Sequence, residues 1–71
     1  MEKELQKIGH RIKLLRIENK ISQKVLAKKL CISQTHLSNI EAPNVPTSIS
    51  LETLFNIADA LEIPVYYFFD F

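Results

Sequence analysis

The chain has 71 residues, of which 46% are hydrophobic and 24% are charged, and its net charge is +1. This length fits one domain with a small core, and the composition is that of a globular chain rather than a disordered one. The longest apolar stretch is far too short to span a bilayer, so we expect no membrane partner. There is no signal-peptide pattern, and the single cysteine cannot form an internal disulfide, so we expect a cytoplasmic protein.

The charges are divided unevenly along the chain. Residues 1–29 hold all nine basic residues and three acidic ones, a net charge of +6. Residues 30–71 hold five acidic residues and no lysine or arginine, a net charge of −5. This asymmetry predicts one surface that faces a polyanion and a separate acidic surface, with a solvated lysine-rich helix face as the alternative.

The apolar residues do not alternate and glycine occurs once, so we predict an all-α fold. Taken in order, the chain is predicted to form five helices in a single compact domain over residues 1–71. Helix one is predicted from about Glu2 to Glu18. Its predicted buried stripe consists of Leu5, Ile8, Ile12 and Leu15. Gly9 disfavours a helix by about 1 kcal/mol relative to alanine, which indicates close packing against another helix.

The segment from Ser22 to Glu41 is predicted to form two short helices joined by a tight turn. Ser22 and Ser33 can cap these helices, because a serine oxygen accepts hydrogen bonds from free amides of the first turn. The residues predicted to face the core are Val25, Leu26 and Leu30 in the first helix and Leu37 and Ile40 in the second. A pair this short cannot bury its own apolar faces, so the rest of the chain must cover them.

Within this segment a glutamine, a small residue and three apolar residues recur in a fixed order: Gln23, Ala27, Ile32, Leu37 and Ile40. At these positions the segment resembles the helix-turn-helix of the phage repressor and Cro-like (XRE) family, and residues 33–41 look like the recognition helix of the family. The likeness extends to residues 8–16 and 50–54, so it covers nearly the whole chain. It implies a lambda-repressor-like fold, with the helix-turn-helix at helices two and three (residues 22–41), and double-stranded DNA as the partner.

The resemblance and the side-chain chemistry together suggest which residues contact DNA. Glutamine and asparagine each offer a donor and an acceptor, which match the major-groove edge of adenine. The candidate base-reading residues are Gln34, Thr35, Ser38 and Asn39. The candidate phosphate-binding residues are Gln23, Lys24, Lys28, Ser33 and His36. Gln23 is also implied to brace Gln34, and simple solvent exposure of His36 is an equal alternative.

Three further features bear on the resemblance. It implies an ion pair between Arg16 and Glu41 that orients helix one against helix three, with two independent surface charges as the alternative. Cys31 stands where the family usually has glycine, and a positive φ there would cost about 1 kcal/mol. We expect Cys31 to pack as a small apolar residue rather than to act as a redox sensor. The loop 42–49 contains two prolines and lacks the basic residues that often bind phosphate in the family.

The C-terminal region is predicted to form helix four, capped by Ser50, and a short fifth helix that starts at Pro64. The predicted core stripe of helix four consists of Leu51, Leu54, Phe55, Ala58 and Leu61. The aromatic segment 64–71 carries more apolar side chains than one short helix buries. The candidate dimer-interface residues are therefore Tyr66, Tyr67, Phe69 and Phe71, and the alternative is that all of them fold back on helix one.

These features favour a transcriptional regulator over an enzyme. Two histidines and one cysteine give no metal cluster, and we find no phosphate loop or carboxylate pair, so we expect no catalytic residue, metal, cofactor or small-molecule ligand. The leading hypothesis is a homodimeric repressor that places its recognition helices in major grooves about 34 Å apart on a pseudo-palindromic operator. The alternative is a protein-interaction module with the same fold, such as an antitoxin or a restriction-modification controller.

Overall fold

Four α-helices and one 3-10 helix make up the computed structural model, which describes residues 2–42 and 49–69, and side chains from residue 7 onward in these ranges. The helices are α1 (Glu2–Glu18), α2 (Gln23–Leu30), α3 (Gln34–Glu41) and α4 (Leu51–Leu61), and the 3-10 helix spans Val65–Phe69. No strand occurs within the described residues. The all-α prediction is therefore confirmed, as are the predicted bounds of α1.

The prediction of a fifth α-helix is wrong. The segment Val65–Phe69 forms a 3-10 helix, in which the N–H of Tyr67 donates to the carbonyl oxygen of Pro64 at 3.2 Å. Glu62 ends α4 with a φ of 57°, so the chain reverses two residues before Pro64. A five-residue segment cannot form enough bonds between residues i and i+4 to sustain an α-helix, and 3-10 geometry is common in pieces this short.

Serine residues cap three of the helices, as predicted. The backbones of Ser22, Ser33 and Ser50 are extended. The Oγ of each serine accepts a hydrogen bond from the backbone N–H three residues further on, at 3.1, 2.9 and 3.1 Å respectively. Each cap satisfies one of the amides that a helix leaves unpaired in its first turn. The starts of α2, α3 and α4 are thus set by local sequence.

Left-handed or extended residues end the helices of the helix-turn-helix. Cys31 ends α2 with a φ of 59°, and the N–H of Ile32 donates to the carbonyl oxygen of Ala27 at 3.1 Å. The thiol of Cys31 is exposed, so the prediction that it packs against the core is wrong; Ile32, the next residue, makes the apolar contact instead. Ala42 ends α3 in an extended conformation, which the following proline favours.

The core lies where all five elements meet. Its largest fully buried side chains are Ile12, Leu26, Leu37, Ile57 and Phe68, one from each element. The predicted stripe of α1 is confirmed at Ile12 and Leu15, whereas the side chain of Leu5 lies outside the described ones. Because every element contributes a buried residue, the position of α3 depends on the whole core.

Some core predictions for α2 and α4 are wrong. Val25, Leu51 and Phe55 are exposed, and Ile57 is buried although it was not predicted to be. The inward face of α4 consists of Leu54, Ile57, Ala58 and Leu61. Apolar residues surround much of α4, so its sequence does not define one face, and its contacts with α1, α2 and the 3-10 helix decide which residues are buried.

Gly9 marks a close approach of α1 to α3, as predicted. It is buried, and a Cβ atom at this position would overlap the carbonyl oxygen of Ile40. A glycine in mid-helix is therefore explained by the backbone of the second helix of the helix-turn-helix. This contact fixes the C-terminal end of α3 against α1.

Candidate nucleic-acid interface

The polar residues of α3 share its solvent side. Leu37, Ile40 and Glu41 are buried and fix how the helix is rotated about its axis. The remaining side chains of the helix are all exposed: Gln34, Thr35, His36, Ser38 and Asn39. A spacing of four residues places Gln34 beside Ser38 and Thr35 beside Asn39. The structure thus brings the four candidate base-reading residues together on one accessible face.

An open concavity lies between the start of α2 and the start of α3. It is lined by Gln23, Gln34, Thr35 and Ser38. Gln23 is the first residue of α2 and is half-buried. Its Nε2 donates a hydrogen bond to Oε1 of Glu41 at 3.0 Å, whereas the resemblance implied a brace to Gln34. Sequence reasoning missed this bond, because no spacing rule links the start of one helix to the end of the next.

The ion pair between Arg16 and Glu41 is present and buried. Nε and Nη2 of Arg16 donate to the two carboxylate oxygens of Glu41 at 2.8 and 3.0 Å, which is bidentate geometry. Nη1 of Arg16 donates to the carbonyl oxygen of Ile21 at 2.8 Å. The two side chains are 10% and 2% exposed, so the alternative of two independent surface charges is wrong. One guanidinium group therefore connects α1 to α3 and to the segment that leads into α2.

The basic residues differ in whether they are available to a ligand. Lys24 and Lys28 are exposed and lie one turn apart on α2. Arg16 is buried in its ion pair, and Arg11 donates two hydrogen bonds of 3.2 Å to the carbonyl oxygen of Tyr67. Both arginines therefore hold elements of the fold together. Further exposed lysines of residues 1–29, among them Lys13, Lys20 and Lys29, contribute to the basic surface predicted for that segment.

The start of α3 presents two further candidate residues. The Oγ of Ser33 accepts a hydrogen bond from the backbone N–H of His36 at 2.9 Å. The hydroxyl hydrogen of Ser33 can still be donated, because a hydroxyl group both donates and accepts. His36 is exposed, so both of its predicted roles, simple solvation and DNA contact, stay open.

Three aromatic side chains near the C-terminus are exposed and form what we call the aromatic patch: Tyr66, Tyr67 and Phe69. The rings of Tyr66 and Tyr67 meet edge to face, with centroids 5.1 Å apart. Phe68, between them in sequence, is fully buried and closes the core. The alternative that all these aromatics fold back is therefore wrong for the patch, and Phe71 lies outside the described residues.

Other kinds of site find little support in the part of the chain that the structure describes. No group of histidine, cysteine, aspartate and glutamate side chains there is placed to hold a metal ion. None of the described helices combines the length and the apolar character that crossing a membrane requires. The polar face of α3 and the adjacent start of α2 are thus the leading candidate site.

Helices α2 and α3 are short and are joined by a tight turn, and α3 buries its apolar residues while it exposes a polar face. This arrangement defines a helix-turn-helix domain. The model of a family described as "Helix-turn-helix" matches residues 12–68. The chain belongs to the phage repressor and Cro-like (XRE) family of DNA-binding helix-turn-helix proteins.

Individual relatives agree with this family. The chain is 41% identical to antitoxin HipB of Escherichia coli O6:H1 over 56 residues. The matched region covers 79% of the chain and 57% of the antitoxin. The chain therefore spans about three fifths of the length of the HipB relatives that it matches.

The solved structures that share the fold include a regulator bound to DNA and a restriction-modification controller. SinR, the master regulator for biofilm formation, in complex with DNA, has 35% identity and a TM-score of 0.78, covering 89% of the chain and 98% of SinR. The restriction-modification controller C.AhdI of Aeromonas hydrophila has 26% identity and a TM-score of 0.80, covering 90% and 94% respectively.

Proposed function

We propose that this chain is a sequence-specific double-stranded DNA-binding transcriptional regulator that acts as a repressor. The exposed face of α3 carries the proposal. Gln34 and Asn39 each offer a donor and an acceptor, as recognition of adenine in the major groove requires. The methyl group of Thr35 can contact the thymine methyl, and Ser38 can bind bases or phosphates. The complex of SinR with DNA supports the same use of the fold.

The phosphate contacts come from the ends of α2 and α3. Lys24 and Lys28 supply exposed positive charge on the helix that precedes the recognition helix. Ser33 and Gln23 stand at helix N-termini, where free amides and the helix dipole favour negative charge. His36, in the first turn of α3, is a further candidate. These contacts position the protein on DNA, and the side chains of α3 then read the sequence.

The direct test is selection of bound sequences from random duplexes at two salt concentrations. We expect an enriched motif that persists at the higher salt, since base contacts do not depend on counterion release. Binding without an enriched motif would show a nonspecific DNA-binding protein. No binding at either salt concentration would overturn the proposal.

The repressor is proposed to act as a dimer through the aromatic patch, together with Phe71. Large exposed aromatic side chains favour association, and a two-fold dimer would place recognition helices in successive major grooves about 34 Å apart. We predict that Phe69→Asp gives monomers in analytical ultracentrifugation, because it buries a charge in the interface. Leu51→Asp, an equally polar change on α4, should leave the dimer intact. A dimer that survives Phe69→Asp would place the interface elsewhere.

A second candidate function is a protein-interaction module, as in an antitoxin or a restriction-modification controller. The outward side of α4 favours it, because Leu51 and Phe55 are exposed there beside Glu52 and Asp59. Antitoxin HipB is among the relatives, although the chain covers only part of its length. The two functions use different helices, so DNA binding should survive the double substitution Leu51→Ser with Phe55→Ser. The relatives are named as regulators and an antitoxin, which supports a non-enzymatic role.

A further inference from the structure

The buried carboxylate of Glu41 fixes the orientation of an amide at the candidate interface. Glu41 accepts hydrogen bonds from Nε and Nη2 of Arg16 and from Nε2 of Gln23. An ionised carboxylate can only accept, so the NH2 group of the Gln23 amide must face it. The two ends of the Gln23 amide, which differ in what they offer a ligand, are therefore not interchangeable.

The orientation of this amide decides what the concavity presents. Gln23 lines the concavity with three candidate base-reading residues, Gln34, Thr35 and Ser38. With one N–H committed to Glu41, Gln23 keeps a second N–H and its carbonyl oxygen for other partners. A flipped amide would reverse this pattern of donor and acceptor, and it would leave the carboxylate facing an oxygen.

The ion pair is suited to this task. The bidentate contact with Arg16 balances the charge of Glu41, so no unpaired carboxylate lies under a surface proposed to meet phosphates. The bond from Arg16 to the carbonyl oxygen of Ile21 ties the same guanidinium group to the segment just before Gln23. The carboxylate and the start of α2 are thus held by one side chain.

We propose that Arg16 and Glu41 are positioning residues that hold the Gln23 amide in one orientation for its contact with DNA. The inference rests on the proposed function, because it assigns the ion pair a role in DNA affinity and not only in folding. A purely structural pair would affect binding only through the stability of the domain. If the ion pair positions Gln23, removing the pair must change the effect of a Gln23 substitution on DNA affinity.

A double-mutant cycle separates these two roles. Either single substitution would leave a buried charge unpaired, so the pair is replaced as a whole by Arg16→Met with Glu41→Met, which often leaves stability unchanged or raises it. Gln23→Ala is then measured in the original chain and in this background, on a duplex selected by the original chain. Thermal unfolding of every variant establishes that it is folded at the temperature of the binding assay.

We expect Gln23→Ala to weaken binding about tenfold in the original chain, as for a hydrogen bond to a charged group. In the background without the ion pair it should weaken binding by less than about twofold, because the amide is no longer oriented. Thr35→Ala is the matched control, since Thr35 lines the same concavity and is not hydrogen-bonded to Glu41. Its effect should be the same in both backgrounds.

Equal losses from Gln23→Ala in both backgrounds would overturn the proposal. Loss of the Thr35→Ala effect in the background without the ion pair would also overturn it, since the ion pair would then act on α3 as a whole. Absence of specific binding by the original chain would overturn the proposed function as well. If the original chain binds specifically and the effects of the substitutions are additive, only the positioning role of the ion pair is overturned.

A measurement without substitutions checks the same geometry. The side-chain amide protons of Gln23 should exchange with solvent more slowly than those of the exposed Gln34 in nuclear magnetic resonance spectra. Equal exchange would contradict the hydrogen bond on which the inference depends, even if the variant without the ion pair fails to fold.

Discussion

Helices α3 and α4 begin in the same way and differ in what they expose. Both follow a serine cap and both place one face in the core. The exposed residues of α3 are all polar and carry no carboxylate or lysine, whereas α4 exposes Leu51 and Phe55 beside Glu52 and Asp59. The carboxylates of Glu52 and Asp59 would repel DNA phosphates, whereas the polar residues of α3 would not. Caps and buried residues therefore specify both helices, and their exposed residues assign them separate roles.

Core burial should distinguish a leucine of α3 from a leucine of α4 most strongly. Leu37 of α3 is fully buried, and Leu51 of α4 is 64% exposed. Leu37→Ala should lower the free energy of unfolding by about 2–5 kcal/mol, because it leaves a cavity in the core. Leu51→Ala should change it by less than about 0.5 kcal/mol. Denaturant unfolding measures both, and similar losses for the two variants would show that the assigned core is incorrect.

The serine caps of α3 and α4 can be compared by single substitutions. Ser33→Ala and Ser50→Ala should each destabilise the protein by about 1 kcal/mol, since each removes one hydrogen bond to a first-turn amide. Only Ser33→Ala should also weaken binding to the selected duplex, because Ser33 adjoins the polar face of α3. If both variants weakened DNA binding equally, the loss would come from stability rather than from a contact with DNA.

The exposed lysines of α2 should make a modest contribution to the salt dependence of DNA binding. Lys24→Ala or Lys28→Ala should each reduce the slope of log affinity against log salt concentration by about 0.9, for all duplex sequences, through the loss of one phosphate contact. Asp59→Asn removes one charge from α4 and should leave the slope unchanged. A slope that is insensitive to both lysine variants would remove α2 from the phosphate contacts.

The sequence predicted the α-helices well where local chemistry decides the outcome. Ser22, Ser33 and Ser50 cap their helices as expected, and Gly9 lies against another backbone. The inward face of α4 could not be predicted, because Leu51 fits the apolar pattern as well as the buried residues do. Which apolar side is covered depends on contacts between elements that are distant in sequence.

The exposed polar residues of α3 could be predicted one by one from the sequence, but not every contact that holds the site in place. Polar side chains between buried positions identify the exposed face from helical periodicity alone. The ion pair of Arg16 with Glu41 was implied by the family resemblance. The hydrogen bond from Gln23 to Glu41 joins residues 18 positions apart and depends on how α2 and α3 cross, which only the folded structure shows.

The most direct test of the account compares Gln34→Ala on α3 with Asn56→Ala on α4, both exposed amides. Affinity is measured for the selected duplex and for a random duplex of equal length. Gln34→Ala should cost about 1–3 kcal/mol on the selected duplex and little on the random one, while Asn56→Ala should leave both affinities unchanged. Equal losses from Gln34→Ala on both duplexes would show that Gln34 reads no base and would contradict the account.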